Sequence, residues 1–336
     1  MDDDDAPLDP AEFFADDATG GPAPGLMSAD VPPGHKSGYV AIVGAPNVGK
    51  STLLNRWLGT KLSIVSPRPS TTRNRVLGIL SSAPDADPPY QLILLDTPGV
   101  VRPKYRLHEH MMRDVDRSLG DADVTVVLAD ATEPQLRHEA REALERVARS
   151  RAPALLALNK VDLLSSQAEA LPLVEAYTEA LGRDFAAVVP VSALKGAGVD
   201  ALLDEVLARV PEGPPYYPPD QLSEHPERFF LGEIVREAIF HQFRDEIPYS
   251  TQVVVVTVQE REGQKLLVAA DIVVERDSQK GILIGKGGVA LKRLGQRARE
   301  EIEAFLGRPV FLQLHVKTRA DWRDREGFLR EYGFGG

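Results

Sequence analysis

The stretch Gly44–Ser51 reads GAPNVGKS, with Gly44 and Gly49 bracketing four residues and followed at once by Lys50 and Ser51. It follows the apolar run YVAIV and precedes a helical pattern. In that context the backbone amides of a glycine-rich turn can wrap phosphate oxygens, and the helix N-terminus favours their charge. Lys50 would reach the β- and γ-phosphates, and the Ser51 hydroxyl would ligate Mg²⁺. The candidate phosphate-binding residues are Gly44, Ala45, Pro46, Asn47, Val48, Gly49, Lys50, Ser51 and Thr52, with Asp96 and Gly99 further on. Asp96 closes the apolar run of LLDTPG. There its carboxylate can hold Mg²⁺ through water, and the Gly99 amide can meet the γ-phosphate.

Two further elements choose the base. In ALNKVD, the two oxygens of Asp162 can accept the N1 and N2 hydrogens of guanine; adenine has no such donor pair and would leave the carboxylate unpaired. Asn159 would orient the base and Lys160 would lie over its plane. In VSALKG, Ser192 and Ala193 stand at another strand end, where the Ala193 amide can meet guanine O6. All four elements occur in order, each at the end of an apolar run. Ligands of parallel sheets bind at such ends. The ligand is therefore GTP or GDP with Mg²⁺.

Between cradle and Asp96 lies SPRPSTTRNR, a composition suited to a mobile loop. Thr71 or Thr72 would complete the Mg²⁺ shell when the γ-phosphate is present, and Thr72 is preferred. Such a loop is a switch ordered by the γ-phosphate; PGVVRPKYRLHEH would be the second. Arg73 and Arg75 are expected to be solvated. The residue after Gly99, where many GTPases carry a water-orienting glutamine, is Val100. No catalytic side chain is assigned, and intrinsic hydrolysis is expected to be slow. Water would be positioned by backbone, by another residue, by a potassium ion near Asn47, or by a partner.

A second glycine loop, ILIGKGGVALKRLG, begins at Ile282. It lacks the Ser or Thr after lysine and any base-reading element downstream. Gly285, Lys286, Gly287 and Gly288 instead form a G-x-x-G turn between two helices of an α+β unit. In a KH domain this turn clamps about four single-stranded nucleotides. Lys286, Lys292 and Arg293, with Arg297 and Arg299 beyond, would meet the RNA backbone. GILIG and VVVVTV would offer aliphatic surface to the bases.

These sites require a scaffold. From Tyr39, apolar runs alternate with amphipathic helical stretches, which indicates a mostly parallel sheet covered on both faces. The proline-rich PEGPPYYPPD cannot be helix or central strand. After it come helix, two strands joined by EREGQK, a short helix, the glycine loop, a longer helix and a strand. The expected fold is an α/β P-loop GTPase domain followed by a smaller α+β KH domain. The expected division is an acidic, loosely attached extension over 1–37, with AEFF as its only anchor; a GTPase domain over 38–210; a linker over 211–220; a KH domain over 221–320; and a tail over 321–336 that cannot be placed.

The chain of 336 residues carries no cysteine and a net charge of −11. Disulfides and thiolate metal sites are excluded, and a reducing cytosol fits. Residues 1–36 hold nine acids and one base, whereas residues 280–330 hold twelve Lys or Arg against six acids, so an acidic total conceals a basic C-terminal region. No apolar run approaches the roughly 18 residues that span a bilayer. The protein is expected in the cytoplasm, with peripheral contact to the membrane left open, and as a monomer.

GAPNVGKSTLLN, STTRNR, DTPGV, NKVD, SALKG and GILIGKGG together resemble the Era family of bacterial GTPases, over about Tyr39 to Glu331. The valine after DTPG is typical of that family; the acidic segment is not. The resemblance implies a type II KH domain, binding of the 3′ end of 16S rRNA, and assistance to maturation of the 30S ribosomal subunit, with peripheral membrane association in some members. A tandem G-domain GTPase is disfavoured by the single NKVD. A partner of an RNA-modifying enzyme lacks its cysteine or cofactor motif. A vestigial nucleotide site is disfavoured by the intact Lys50, Ser51, Asp96 and Asp162.

Overall fold

The structure is a computed structural model that describes residues 31–66, 68–83 and 85–335. The acidic extension, including AEFF, lies outside the described residues except for its last seven positions.

Strands β1 (Lys36–Val43), β2 (Val76–Ser81), β3 (Tyr90–Asp96), β4 (Val124–Asp130), β5 (Ala154–Asn159) and β6 (Ala187–Pro190) form one sheet in the order β2-β3-β1-β4-β5-β6. All neighbours are parallel except edge strand β2, which runs antiparallel to β3. Strands β4 and β5 are buried along their whole length, as runs covered on both faces must be. The covering helices are α1 (Lys50–Leu58), α2 (Arg106–Asp121), α3 (His138–Val147), α4 (Leu171–Leu181) and α5 (Val199–Leu207). In α2 the buried Leu107, Met111 and Val115 recur every fourth residue, giving one apolar stripe against the sheet. Register aligns Ile42 with Asp96 and Asp130 with Asn159, so the strand C-termini open on a common edge. Strand order reverses about β1, which makes that edge the place for a ligand.

The second unit comprises α6 (Glu227–Gln242), the short turn α7 (Ile247–Ser250), β7 (Gln252–Gln259), β8 (Leu266–Val274), α8 (Asp277–Ile284), α9 (Val289–Leu306) and β9 (Val310–Thr318). Its sheet is ordered β7-β8-β9, with β8 antiparallel to β7 and parallel to β9. Helix α9 buries Leu294, Ala298 and Ile302, one turn apart, against Val268, Ala270 and Ile272 of β8 and Val235 and Ile239 of α6. The fold class is thus a mostly parallel sheet with helices followed by a smaller KH-like unit.

The proline-rich segment forms neither helix nor strand; its start bonds to the backbone around β1, the Ser37 amide donating to the Pro211 carbonyl at 3.1 Å, and its middle is held by one side chain. Gln91 Oε1 accepts from the amides of Tyr216 and Tyr217 at 2.7 and 2.9 Å, and its Nε2 donates to the Tyr217 carbonyl. Farther on, the Ile79 amide donates to the Leu222 carbonyl at 2.8 Å, so the chain covers the open edge of β2.

The tail beyond 320 bridges the two units. Trp322 is fully buried, and its indole donates to the Ser250 carbonyl at 2.9 Å. The Leu107 amide, at the start of α2, donates to the Arg323 carbonyl at 3.0 Å. Helix α10 (Glu326–Glu331) follows, and Tyr332 and Phe334 join the core of the first unit.

Candidate functional site

Three of the five described non-glycine residues with left-handed φ, Asn47, Ser70 and Lys160, line one cavity of about 390 Å³ at the strand C-termini. Such conformations collect where a ligand demands them. The cavity also takes Gly49, Lys50, Ser51, Thr72, Gly99, Asn159 and Asp162. The structure therefore brings together members of all four sequence elements, although VSALKG contributes Leu194 to the lining rather than Ser192 or Ala193.

The cradle depends on a glycine at 49. A Cβ there would stand 2.2 Å from Asn159 Nδ2, and φ is +103°. This close approach lets Asn159 tie the base-reading strand to the cradle: its Nδ2 donates to the Val48 carbonyl at 2.7 Å, and its Oδ1 accepts the Ala193 amide at 2.9 Å. One Nδ2 hydrogen of Asn159 is left over. The Ala193 amide, expected to meet guanine O6, here donates to Asn159.

Lys50 is buried and folds over the cradle, donating to the carbonyls of Gly44 and Ala45 at 3.2 and 2.9 Å. Burial pushes its ammonium down to about 8, against the pull of Asp96. Asp96 is fully buried, and burial raises its carboxyl above the usual range, against Lys50 and a hydrogen bond from Ser51. Ser51 Oγ donates to Asp96 Oδ2 at 2.7 Å and meets Thr72 Oγ1 at 3.0 Å. Asp96 Oδ1 makes no hydrogen bond. A buried carboxylate oxygen without a partner, beside two hydroxyls, fits a divalent cation or its water. Thr71 lines the same cavity, but its hydroxyl donates to the Arg68 carbonyl at 2.8 Å.

Lys160 forms an ion pair with Asp130, whose other oxygen accepts from the Thr132 amide and hydroxyl. Asp162 is half-buried, and a hydrogen bond from Ser192 holds its carboxyl below the usual range, with help from Lys195 at 3.5 Å. It stays ionised and acceptor-only, as reading guanine requires. Arg56, not singled out in the sequence, holds this loop to α1: it donates to the carbonyls of Ala193 and Leu194. Its only sequence signal is a cation near the end of a helix.

Val100 is 1% exposed and packs in the core. It cannot face a water.

Two expectations are corrected. Arg73 is not solvated: it is 4% exposed, and its guanidinium donates to the carbonyls of Pro248, Tyr249 and Thr251 at 2.9, 2.9 and 2.7 Å and to Gln252 Oε1 at 3.3 Å. Arg75 pairs with Asp121 at 2.7 Å. The loop expected to be free is fastened to the second unit, with Lys61 also paired to Glu237 and Glu301 and the Val65 amide donating to Glu237. The cause is the row of carbonyls at the end of α7, three of which the forked Arg73 guanidinium satisfies from outside the helix.

In the second unit Gly285, Gly287 and Gly288 all have left-handed φ between α8 and α9. At 285 a Cβ would lie 2.7 Å from that of Ala290. Lys286, Lys292, Arg293 and Arg297 are exposed, beside Ile282 and Val289 at 50% and 59% exposure. Arg299 is half-buried. VVVVTV does not flank this turn: it forms β7, at the sheet edge opposite β9, whereas α8 packs on β8 and β9.

The cradle, the base-reading strand ends and the G-x-x-G unit define a GTPase joined to a KH domain. A family model described as a 50S ribosome-binding GTPase matches residues 39–160, and a KH domain model matches residues 246–323. The chain is 47% identical to "GTPase ERA-like, chloroplastic" of Arabidopsis thaliana, over 90% of this chain and 69% of the relative. It is 46% identical to "GTPase ERA1, chloroplastic" of Zea mays, over 90% and 71%. The chain belongs to the Era family and is a GTPase. In solved structures it resembles a single-residue variant of Aquifex aeolicus Era bound to GDP.AlF4⁻ (41% identity, TM-score 0.83, 89% of this chain and 99% of that one). It also resembles Era in complex with MgGDPNP and nucleotides 1506–1542 of 16S ribosomal RNA (41% identity, TM-score 0.84, the same coverages). Among the described residues no helix is long and apolar enough to cross a membrane.

Proposed function

We propose that this chain is a slow GTP-hydrolysing switch that binds 16S rRNA near its 3′ end and assists assembly of the small ribosomal subunit. The observation that carries the reading is the adjacency of Thr72 and Arg73. Thr72 meets Ser51, whose hydroxyl bonds Asp96, the group that would hold Mg²⁺ in this reading, while Arg73, the next residue, is buried against the KH unit. An Era bound to MgGDPNP and to 16S rRNA nucleotides 1506–1542 supports the ligands.

In this reading the phosphates lie along residues 44–52, where Lys50 exchanges its two carbonyl partners for phosphate oxygens. Ser51, Thr72 and Asp96 hold Mg²⁺, which neutralises charge on the β- and γ-phosphates. Asp162 reads the guanine N1 and N2 hydrogens, Asn159 keeps the two loops together, and Lys160 covers the base. Water is positioned not by Val100 but by backbone, by another residue, by a potassium ion beside Asn47 or by a partner. Gly285, Lys286, Gly287, Gly288, Lys292 and Arg293 hold the RNA strand. The units divide at the proline-rich segment 211–220, and the chain acts as a monomer. Because the curated relatives are named chloroplastic, the cytoplasmic address is proposed for this chain alone; fractionation tests it, and recovery with membranes would show peripheral association.

The decisive measurement is affinity for an RNA of nucleotides 1506–1542 in the presence of a non-hydrolysable GTP analogue, GDP and no nucleotide. Tightest binding with the analogue is expected. Equal affinity in all three states would sink the switch.

A further inference from the structure

Residues 1–30 carry nine carboxylates, from Asp2 to Asp30, and no Lys or Arg. The KH unit presents the complement. Lys286, Lys292, Arg293 and Arg297 are exposed and form no ion pair with any described residue. Beside them the apolar Ile282 and Val289 are half or more exposed. The acidic stretch has an apolar pair of its own, Phe13-Phe14, set between Glu12 and Asp16-Asp17.

We propose that the Asp2–Asp17 segment is an intramolecular competitor for the KH face, with carboxylates in the place of phosphates and Phe13-Phe14 in the place of bases. The proposal rests on the reading of that face as the RNA site. The tether favours it. His35 Nδ1 bonds to the Gly213 carbonyl at 2.8 Å, and the Gly213 amide donates to the His35 carbonyl at 2.9 Å. The acidic segment therefore enters beside the connection between the two units. Thirty residues reach about 100 Å at full extension and about 30 Å as a random chain. A tether of that length supplies an effective concentration on the order of 1 mM, so an intrinsic segment affinity of about 0.1 mM would weaken RNA binding about tenfold. Both contacts are ionic, and the advantage fades as salt rises.

The test compares the full chain with two full-length variants, using the 1506–1542 RNA as probe and GDP affinity as a control. One variant carries Asp2→Asn, Asp3→Asn, Asp4→Asn, Asp5→Asn, Asp16→Asn and Asp17→Asn; the other carries Phe13→Ser and Phe14→Ser. At about 50 mM salt the first should bind RNA about tenfold tighter and the second measurably tighter, with GDP affinity unchanged in both. The differences should shrink at about 200 mM salt. Unchanged or weaker RNA affinity in the first variant overturns the proposal. A gain in the first with none in the second means long-range repulsion without docking, which also overturns it. If no chain binds the RNA under any condition, the reading of the face as an RNA site fails, and the competition fails with it.

Discussion

Arg73 Nη1 donates to the Thr251 carbonyl at 2.7 Å, joining the loop after the phosphate cradle to the residue before β7. The preceding residue, Thr72, touches Ser51. In this arrangement Thr72 meets Ser51 while Arg73 holds the second unit, so loss of the γ-phosphate that frees Thr72 would also loosen the Arg73 contact. Arg73→Ala should lower unfolding stability by about 2–3 kcal/mol, because charge-assisted hydrogen bonds are lost and buried carbonyls are orphaned. It should also erase the dependence of RNA affinity on nucleotide. Retained dependence in a folded variant would show that another contact couples the units.

Lys50 gives nucleotide binding a pH signature. Its ammonium sits near 8 when buried without a ligand, below its ordinary 10.5. Phosphate favours the protonated form, so GDP affinity should be flat below pH 8 and fall above it, with proton uptake on binding. For folding the sign is opposite: the native state binds fewer protons than the unfolded state between the two values, so this group's contribution to stability rises with pH across that window. Calorimetric GDP titrations in buffers of different ionisation enthalpy check the uptake; affinity constant well above pH 8 would count against it. Lys50→Ala should abolish nucleotide binding and leave nucleotide-free RNA binding intact.

Val100→Gln should not speed hydrolysis. At 1% exposure the new amide would be buried without a partner, at a cost of about 1–3 kcal/mol. A single-turnover assay showing accelerated hydrolysis would mean that the side chain can reach the cavity after all.

Asp162→Asn should weaken GDP by at least about 100-fold, because the guanine donors lose their acceptor pair. Xanthosine diphosphate, with a carbonyl in place of the N2 amine, should recover part of the loss. Equal weakening of both nucleotides would place Asp162 outside the base site.

Gly287→Asp should weaken RNA binding and spare GDP. A Cβ at 287 meets nothing within 4 Å, and aspartate is among the side chains that adopt a left-handed φ such as the +62° here at modest strain, so a folded variant would carry a carboxylate that repels the phosphates. Unchanged RNA affinity would remove the turn from the interface.

The sequence alone determined the parts whose geometry is local. GAPNVGKS builds its turn from the conformations open to its own glycines, and NKVD and DTPG stand at the ends of runs too apolar to be anything but buried strands. Their spacing along the chain hardly matters, because parallel strands deliver their ends to one edge. Tertiary structure decided what depends on which surfaces meet. Thr71 and Thr72 are indistinguishable as neighbours until the loop is folded, when one turns to the Arg68 carbonyl and the other to Ser51. Arg73 looks solvated until carbonyls more than 170 residues away surround it. Trp322 finds its burial between two units that share no local pattern. No periodicity encodes such contacts; they arise because an unsatisfied row of carbonyls and an apolar ring must each find a partner when the two units close together.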